Sequence, residues 1–176
     1  MCGFAGFVGE VENREQVLEN MIDTIIHRGP DSSGKFVDED AALGFRRLSI
    51  IDLSESGDQP LYNEDRSKVL VFNGEIYNYQ ELREELIQAG HTFVSNTDSE
   101  TLIHGYEQWG EELVYRLRGM YAFAIWDQKA KRLFSARDIF GIKPLYYAQM
   151  NGTLMFGSEI KSFLEHPKFD KVFNED

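Results

Sequence analysis

Apolar residues recur along this chain at two periods. Val17, Leu18, Met21, Ile22, Ile25 and Ile26 fall at helical spacing with one apolar face, and Asn13 is placed to cap that helix. A second helix is predicted over 79–89, with Asn78 as N-cap and Gly90 as its stop. A third opens at 96–100 and carries Leu102, Ile103, Tyr106 and Trp109 before Gly110 breaks it. Asp98 suits its N-cap, and a further helix is predicted over 111–117. Two uninterrupted apolar runs, 68–72 and 120–126, have strand length and predict strands covered on both faces. Shorter strands are predicted over 3–9, 41–52, 91–94, 133–136, 146–148 and 153–157, with a hairpin turn at 127–132 and a short helix at 158–164. The polar stretch from His27 to Gly34, containing Gly29-Pro30, reads as a loop, and 53–58 as a polar turn.

About eight strands and four or five helices, with two strands buried on both faces, imply two packed sheets with helices outside, an α+β arrangement. The 176 residues fit one domain, and 42% hydrophobic content is enough for a core. From Glu165 the chain is charged, contains Pro167 and has no core pattern, so 165–176 reads as the start of a linker. The net charge of -12 argues against nucleic-acid and anionic-membrane partners. Neither a signal-peptide pattern nor an apolar run of membrane-spanning length occurs. The single cysteine excludes a disulfide framework, and the expected setting is a reducing cytoplasm. The four histidines show no ligand spacing, so no metal site is expected.

Candidate chemistry centres on Cys2, directly behind the initiator methionine. Removal of Met1 would place a thiol and a free α-amine on one residue. The thiolate is the nucleophile of cysteine chemistry, and a free thiol with a pKa of about 8.5 needs a proton acceptor. An α-amine with a pKa of about 8 can serve. Taken alone, Cys2 reads as small apolar packing, the usual place of a free cysteine. Arg46 and Arg47 are adjacent on a predicted strand, so one faces inward and needs an anionic partner, for which a carboxylate fits the guanidinium fork. Asn73-Gly74, after the first apolar run, reads either as a tight turn or as two donors for an oxyanion. Asp98 is a cap that could also hold an ammonium. His27 and Arg28 either complement a helix C-terminus or orient backbone near the nucleophile.

Five stretches together resemble one family: Met1-Cys2-Gly3-Phe4, His27-Arg28-Gly29-Pro30-Asp31, Arg47-Leu48-Ser49-Ile50, Asn73-Gly74-Glu75 and Thr97-Asp98-Ser99-Glu100. In this order the chain resembles the class II glutamine amidotransferase domain of the N-terminal-nucleophile (Ntn) hydrolases. The stretches 47–52, 73–78 and 140–147, with Gly157-Ser158-Glu159-Ile160-Lys161, are most similar to the N-terminal glutaminase half of the glutamine-hydrolysing asparagine synthetases. The resemblance implies a four-layer αββα sandwich of two mainly antiparallel sheets over 1–164. It also implies hydrolysis of the glutamine side-chain amide through a Cys2 γ-glutamyl thioester. Catalytic roles pass to Cys2, Asn73 and Gly74, and substrate-binding roles to Arg47, Ile50, Ile51, Glu75 and Asp98. L-glutamine is the implied substrate. The implied partner is a C-terminal ATP-dependent synthetase domain, with a homodimer left open. No cofactor is implied for this domain; ATP and magnesium would belong to the synthetase domain. No phosphate-binding loop occurs in the sequence, which leaves a fragment and a standalone subunit as alternatives. Another ammonia acceptor, such as a sugar phosphate or phosphoribosyl substrate, and a non-catalytic binding module are the other readings.

Overall fold

A computed structural model describes residues 1–48 and 58–172. The described strands form two antiparallel sheets. One has five strands in the order β2-β3-β1-β9-β8: β1 (Gly3–Val8), β2 (Ser32–Val37), β3 (Ala41–Arg47), β8 (Tyr146–Met150) and β9 (Thr153–Gly157). The other runs β4-β5-β6-β7: β4 (Leu61–Tyr62), β5 (Lys68–Ile76), β6 (Gly119–Asp127) and β7 (Arg132–Arg137). Helix α1 (Arg14–Asp23) packs with the first sheet. Helices α2 (Tyr79–Gln88) and α3 (Asp98–Trp109) pack with the second.

Three apolar clusters separate four layers. Alternation on β5 sends Leu70, Phe72 and Ile76 toward α2 and α3, and Val69 and Val71 toward the other sheet. On β6, Phe123 and Ile125 face the helices while Ala122, Ala124 and Trp126 face inward. Phe4, Leu43, Phe45 and Phe156 supply the opposite wall of that inner core. Ala5, Phe7, Ala42 and Met155 cover α1 through Leu18, Met21 and Ile22. The expected αββα sandwich is therefore present, and both long apolar strands are buried on two faces for the reason their composition implies.

Several local expectations differ. Residues 32–34, read as loop, begin β2, paired along β3 from Ser32↔Arg47 to Val37↔Ala42. Ser-Ser-Gly carries no strand signal, but this strand is at a sheet edge, where polar residues are tolerated. The apolar run 68–72 does not end at Asn73-Gly74-Glu75; β5 continues through them, with Asn73 opposite Ala122 and Gly74 opposite Tyr121. A Cβ on Gly74 would meet Met120 O at 2.3 Å, so close approach of β6 requires glycine there. Residues 91–94 are not a strand. Glu100 accepts from Val94 N at 2.7 Å and Ser95 N at 2.7 Å, so a side chain takes the donors a ladder would have used. Asn13 and Asn78 stand at the N-caps of α1 and α2 without side-chain cap bonds, and Thr97, not Asp98, is the N-cap of α3. Ile26 leaves the apolar face of α1 and is exposed in a 3-10 turn, Ile26–Arg28. Gly90, with φ of 103°, stops α2 as expected. Beyond residue 164, His166 is buried with its ring 4.7 Å from Phe7, and Phe169 lies 6.0 Å from Phe163.

Candidate active site

The site forms at one end of the inner core. Immediately before β1, Cys2 is two residues from Phe4 and packs at the margin of the same cluster. On β5, Asn73 continues the inward row of Val69 and Val71. Strand alternation thus carries both residues to where the two sheets stop being filled by apolar side chains. There a cavity of about 270 Å³ is lined by Met1, Cys2, Leu48, Gln59, Asn73, Gly74, Thr97, Asp98 and Lys143, among others. A second cavity, of about 840 Å³, shares Gly74, Thr97 and Asp98 and adds Glu75, Tyr77 and Ser95.

The thiol is held by backbone. Leu48 N–H donates to Cys2 Sγ at 3.4 Å, and the thiol donates to Leu48 O at 3.7 Å. The Cys2 carbonyl accepts from Arg28 Nε at 3.1 Å, and Arg28 Nη1 donates to Glu159 at 3.1 Å. Burial pushes the Glu159 carboxyl up, but bonds from Arg28, His27 and Lys161 outweigh it and hold it below its ordinary value. Of the two readings of Arg28, the structure favours orientation of the backbone beside Cys2. Ser158 completes the anchorage: its hydroxyl accepts from Phe4 N at 3.1 Å, and its N–H donates to Phe4 O at 2.8 Å.

Two donors face the thiol's cavity. Asn73 is 4% exposed, and its buried Nδ2 has no hydrogen-bond partner among the described residues. The N–H of Gly74 is located by alternation. Phe72 N donates to Gln59 Oε1 at 2.6 Å, and Ile76 N donates to Asp98 Oδ2 at 2.9 Å. In an antiparallel strand, residues two apart direct their N–H groups to the same side. Gly74 N–H therefore points between Gln59 and Asp98, away from β6. β4 reaches along this edge only to Leu70, so it does not cover this position.

Asp98 is half-buried at the start of α3. Burial raises its carboxyl above the ordinary value, against the opposing effect of bonds from Ile76 and Ser99. Glu75 is exposed and adjoins the larger cavity. Arg46 and Arg47 diverge as alternation requires. Arg46 donates to Ile22 O and pairs with Asp23 beside α1, while Arg47 is buried on the inward side with Nη1 2.8 Å from Asp58. The carboxylate expected for an inward arginine is thus Asp58. Arg47 adjoins Leu48 in sequence but is not among the residues lining the smaller cavity. Ile50 and Ile51 lie outside the described residues.

Leu48, Gln59 and Lys143 were not singled out from the sequence. Lys143 is buried, with Nζ 3.3 Å from Met1 Sδ. Its backbone N–H donates to Asp138, which also accepts from Tyr121, Phe140 and Ile142 at 2.9–3.2 Å. The available signal was a lysine inside the otherwise apolar 139–145. Burial pushes Asp138 up, but these N–H groups outweigh it and its carboxyl lies below the ordinary value. A lowered carboxyl stabilises the fold above the unfolded pKa, about 3.9, and loses that contribution as pH falls through the folded value. Asp138→Ala is expected to cost about 3 kcal/mol or more at pH 7, because it strands several buried donors. Urea unfolding at pH 7 and pH 3 should show the difference from wild type shrinking at the lower pH.

The geometry places one thiol and two hydrogen-bond donors at a cavity of an αββα sandwich. A family model for the glutamine amidotransferase domain matches residues 1–176, and the chain belongs to that family. Among curated relatives, asparagine synthetase (glutamine-hydrolysing) 1 of Bacillus subtilis (strain 168) is 49% identical over 169 residues, covering 93% of this chain and 27% of the relative. The Zea mays enzyme of the same name is 44% identical over 167 residues, covering 92% of this chain and 28% of that protein. The chain thus spans about a quarter of the length of these relatives. The solved structure of glutamine phosphoribosylpyrophosphate amidotransferase from B. subtilis, complexed with ADP and GMP, superposes with a TM-score of 0.77 at 22% identity. It covers 92% of this chain and 43% of that one, a likeness of fold.

Proposed function

We propose that this domain hydrolyses the side-chain amide of L-glutamine to glutamate and ammonia with Cys2 as nucleophile. The observation that carries this reading is the buried, unpartnered Asn73 Nδ2 in the wall of the cavity that holds Cys2. An unsatisfied buried donor costs about 1–3 kcal/mol, and a site that must stabilise a transient anion has a use for one.

In the proposed reaction Met1 is first removed, and the freed α-amine accepts the thiol proton. The thiolate attacks the amide carbon, and the carbonyl electron pair moves onto oxygen, held by Asn73 Nδ2 and Gly74 N–H. Collapse of this intermediate expels the amide nitrogen, which takes the proton back from the α-ammonium and leaves as ammonia. Water then cleaves the γ-glutamyl thioester, and glutamate and the thiol are restored. Arg47 takes the substrate α-carboxylate. Its planar guanidinium fork matches carboxylate geometry. Asp98, with Glu75, takes the α-ammonium, and the backbone of Ile50 and Ile51 lines the pocket.

Purified chain whose N-terminus is verified to be Cys2 should release glutamate from glutamine in a coupled assay. No release above background would favour a binding module instead. Asp98→Asn is expected to raise the Michaelis constant about 10–100-fold, the loss of one charge-assisted contact. A change in melting temperature alone would reduce Asp98 to a structural role. Because burial raises the Asp98 carboxyl, affinity for glutamine should weaken on acidification at a higher pH than for an ordinary carboxylate.

The ammonia would serve asparagine synthesis from aspartate in a C-terminal synthetase domain that uses ATP and magnesium, with 165–176 leading toward it. The exposed apolar residues Ile139, Phe140, Ile142 and Tyr147 flank Lys143 and offer a surface for that domain. Among the described residues no helix is long and apolar enough to cross a membrane, and we place the domain in the cytoplasm.

A further inference from the structure

Outside the Cys2 cavity, two histidines converge with glutamates from separate elements. His104, on α3, is 2% exposed, with Nδ1 3.1 Å from Glu107 Oε2 and 3.7 Å from Glu64 Oε1. His91, just after α2, has Nδ1 3.9 Å from the same Glu107 oxygen. Glu64, in the turn between β4 and β5, His91 and His104 each offer a ligand atom within 4.8 Å of the others. Tetrahedral zinc with bonds of about 2.0–2.1 Å spaces its donors roughly 3.3 Å apart. His104 Nδ1 is 3.1 Å from Glu107 and 3.7 Å from Glu64, close to that spacing, and Glu64 is half exposed, so its side chain can swing inward to close the rest.

The atoms behind these donors point the same way. His104 Nε2 lies 3.6 Å from Glu100, and His91 Nε2 lies 3.2 Å from Gln108 Oε1. Each ring thus keeps one nitrogen on an acceptor and turns Nδ1 toward the common centre, the arrangement that metal-ligating histidines use. Glu107 Oε1 is held by Asn63 Nδ2 at 2.8 Å, which leaves Oε2 for the centre. Three carboxylates gather here against one lysine, Lys68, 3.8 Å from Glu107. That excess negative charge calls for a further cation.

We propose that Glu64, His91, His104 and Glu107 bind one divalent transition-metal ion of the zinc class. Two imidazoles with two carboxylates suit zinc or a neighbouring ion rather than calcium or magnesium. The ion clasps the segment after α2 to α3 and to the β4–β5 turn. That segment continues into Ser95 and Asp98 in the wall of the larger cavity, so the role is positioning. A proton is the competing occupant: burial pushes His104 down, but Glu100 and Glu107 raise it to about 9.

The test is titration of chelator-treated chain with zinc chloride by calorimetry and with cobalt(II) chloride by visible absorption, on wild type and on His91→Ala, Glu64→Gln and Cys2→Ser. One equivalent of zinc, tetrahedral cobalt bands and a higher melting temperature are expected. His91→Ala and Glu64→Gln should each weaken binding by about tenfold or more, and Cys2→Ser should leave it intact. No saturable binding, a proton alone holding the site, overturns the proposal. So does binding unchanged in His91→Ala, or binding lost only in Cys2→Ser, which would place the ion on the thiol.

Discussion

Cys2→Ala is expected to reduce glutamate release from glutamine to background, a loss on the order of 10⁶, as for removal of a nucleophile elsewhere. The fold should survive, because Cys2 sits half-exposed at the margin of the inner core and contributes one small side chain. Steady-state glutamate formation with a melting curve on the same sample separates the two effects. Retention of Met1 should cost as much as the substitution. In the structure the Cys2 nitrogen is an amide bonded to Met1, and an amide cannot accept the thiol proton. Met1 also lines the cavity beside the thiol, with its sulfur against Lys143, so its removal would enlarge the space for substrate.

Asn73→Ala is expected to lower kcat about 10²–10³-fold, the usual effect of losing one oxyanion donor, with the Michaelis constant nearly unchanged. The split between the two constants carries the information. Its Nδ2 has no partner among the described residues, so a donor used only in the transition state leaves ground-state binding untouched. Stability should change by about 1 kcal/mol or less, because no bond from Nδ2 is broken and an unsatisfied buried donor is removed. An unchanged kcat would remove Asn73 from the oxyanion site and leave Gly74 N–H without its partner donor.

The parts of this molecule legible in the sequence are those where one local signal dominates. The apolar runs 68–72 and 120–126 call for cover on both faces, and they have it, from helices on one side and the other sheet on the other. Arg46 and Arg47 had to diverge, and they do. Elements built by long-range side-chain bonds were not legible. Residues 91–94 carry strand propensity, yet Glu100 takes the donors of Val94 and Ser95. Ser32–Val37 lacks strand propensity, yet β3 recruits it. Asn73-Gly74 admits a tight turn because the pair is common there, beside its reading as two donors. It lies mid-strand because β6 needs the space a missing Cβ provides.

The same division holds at the site. Cys2, Asn73, Gly74 and Asp98, drawn from separated motifs, line one cavity. Leu48, which cradles the thiol with its backbone, has no side-chain chemistry to advertise it. Gln59 acts through its side-chain amide on the backbone of Phe72, a contact set by the open edge of β5. His91 and His104 meet through tertiary packing of a loop on a helix, which sequence spacing does not encode.

The central claim is that Cys2, with a free α-amine, forms a covalent bond to the side-chain carbonyl of glutamine. The most direct measurement is intact mass and peptide mapping of protein beginning at Cys2, mixed with glutamine and acid-quenched during turnover. A gain of one glutamyl group on the N-terminal peptide, absent in Cys2→Ala and in Met1-retaining protein, is predicted. Turnover with no adduct on Cys2 under single-turnover sampling, or an adduct on another residue, would contradict it.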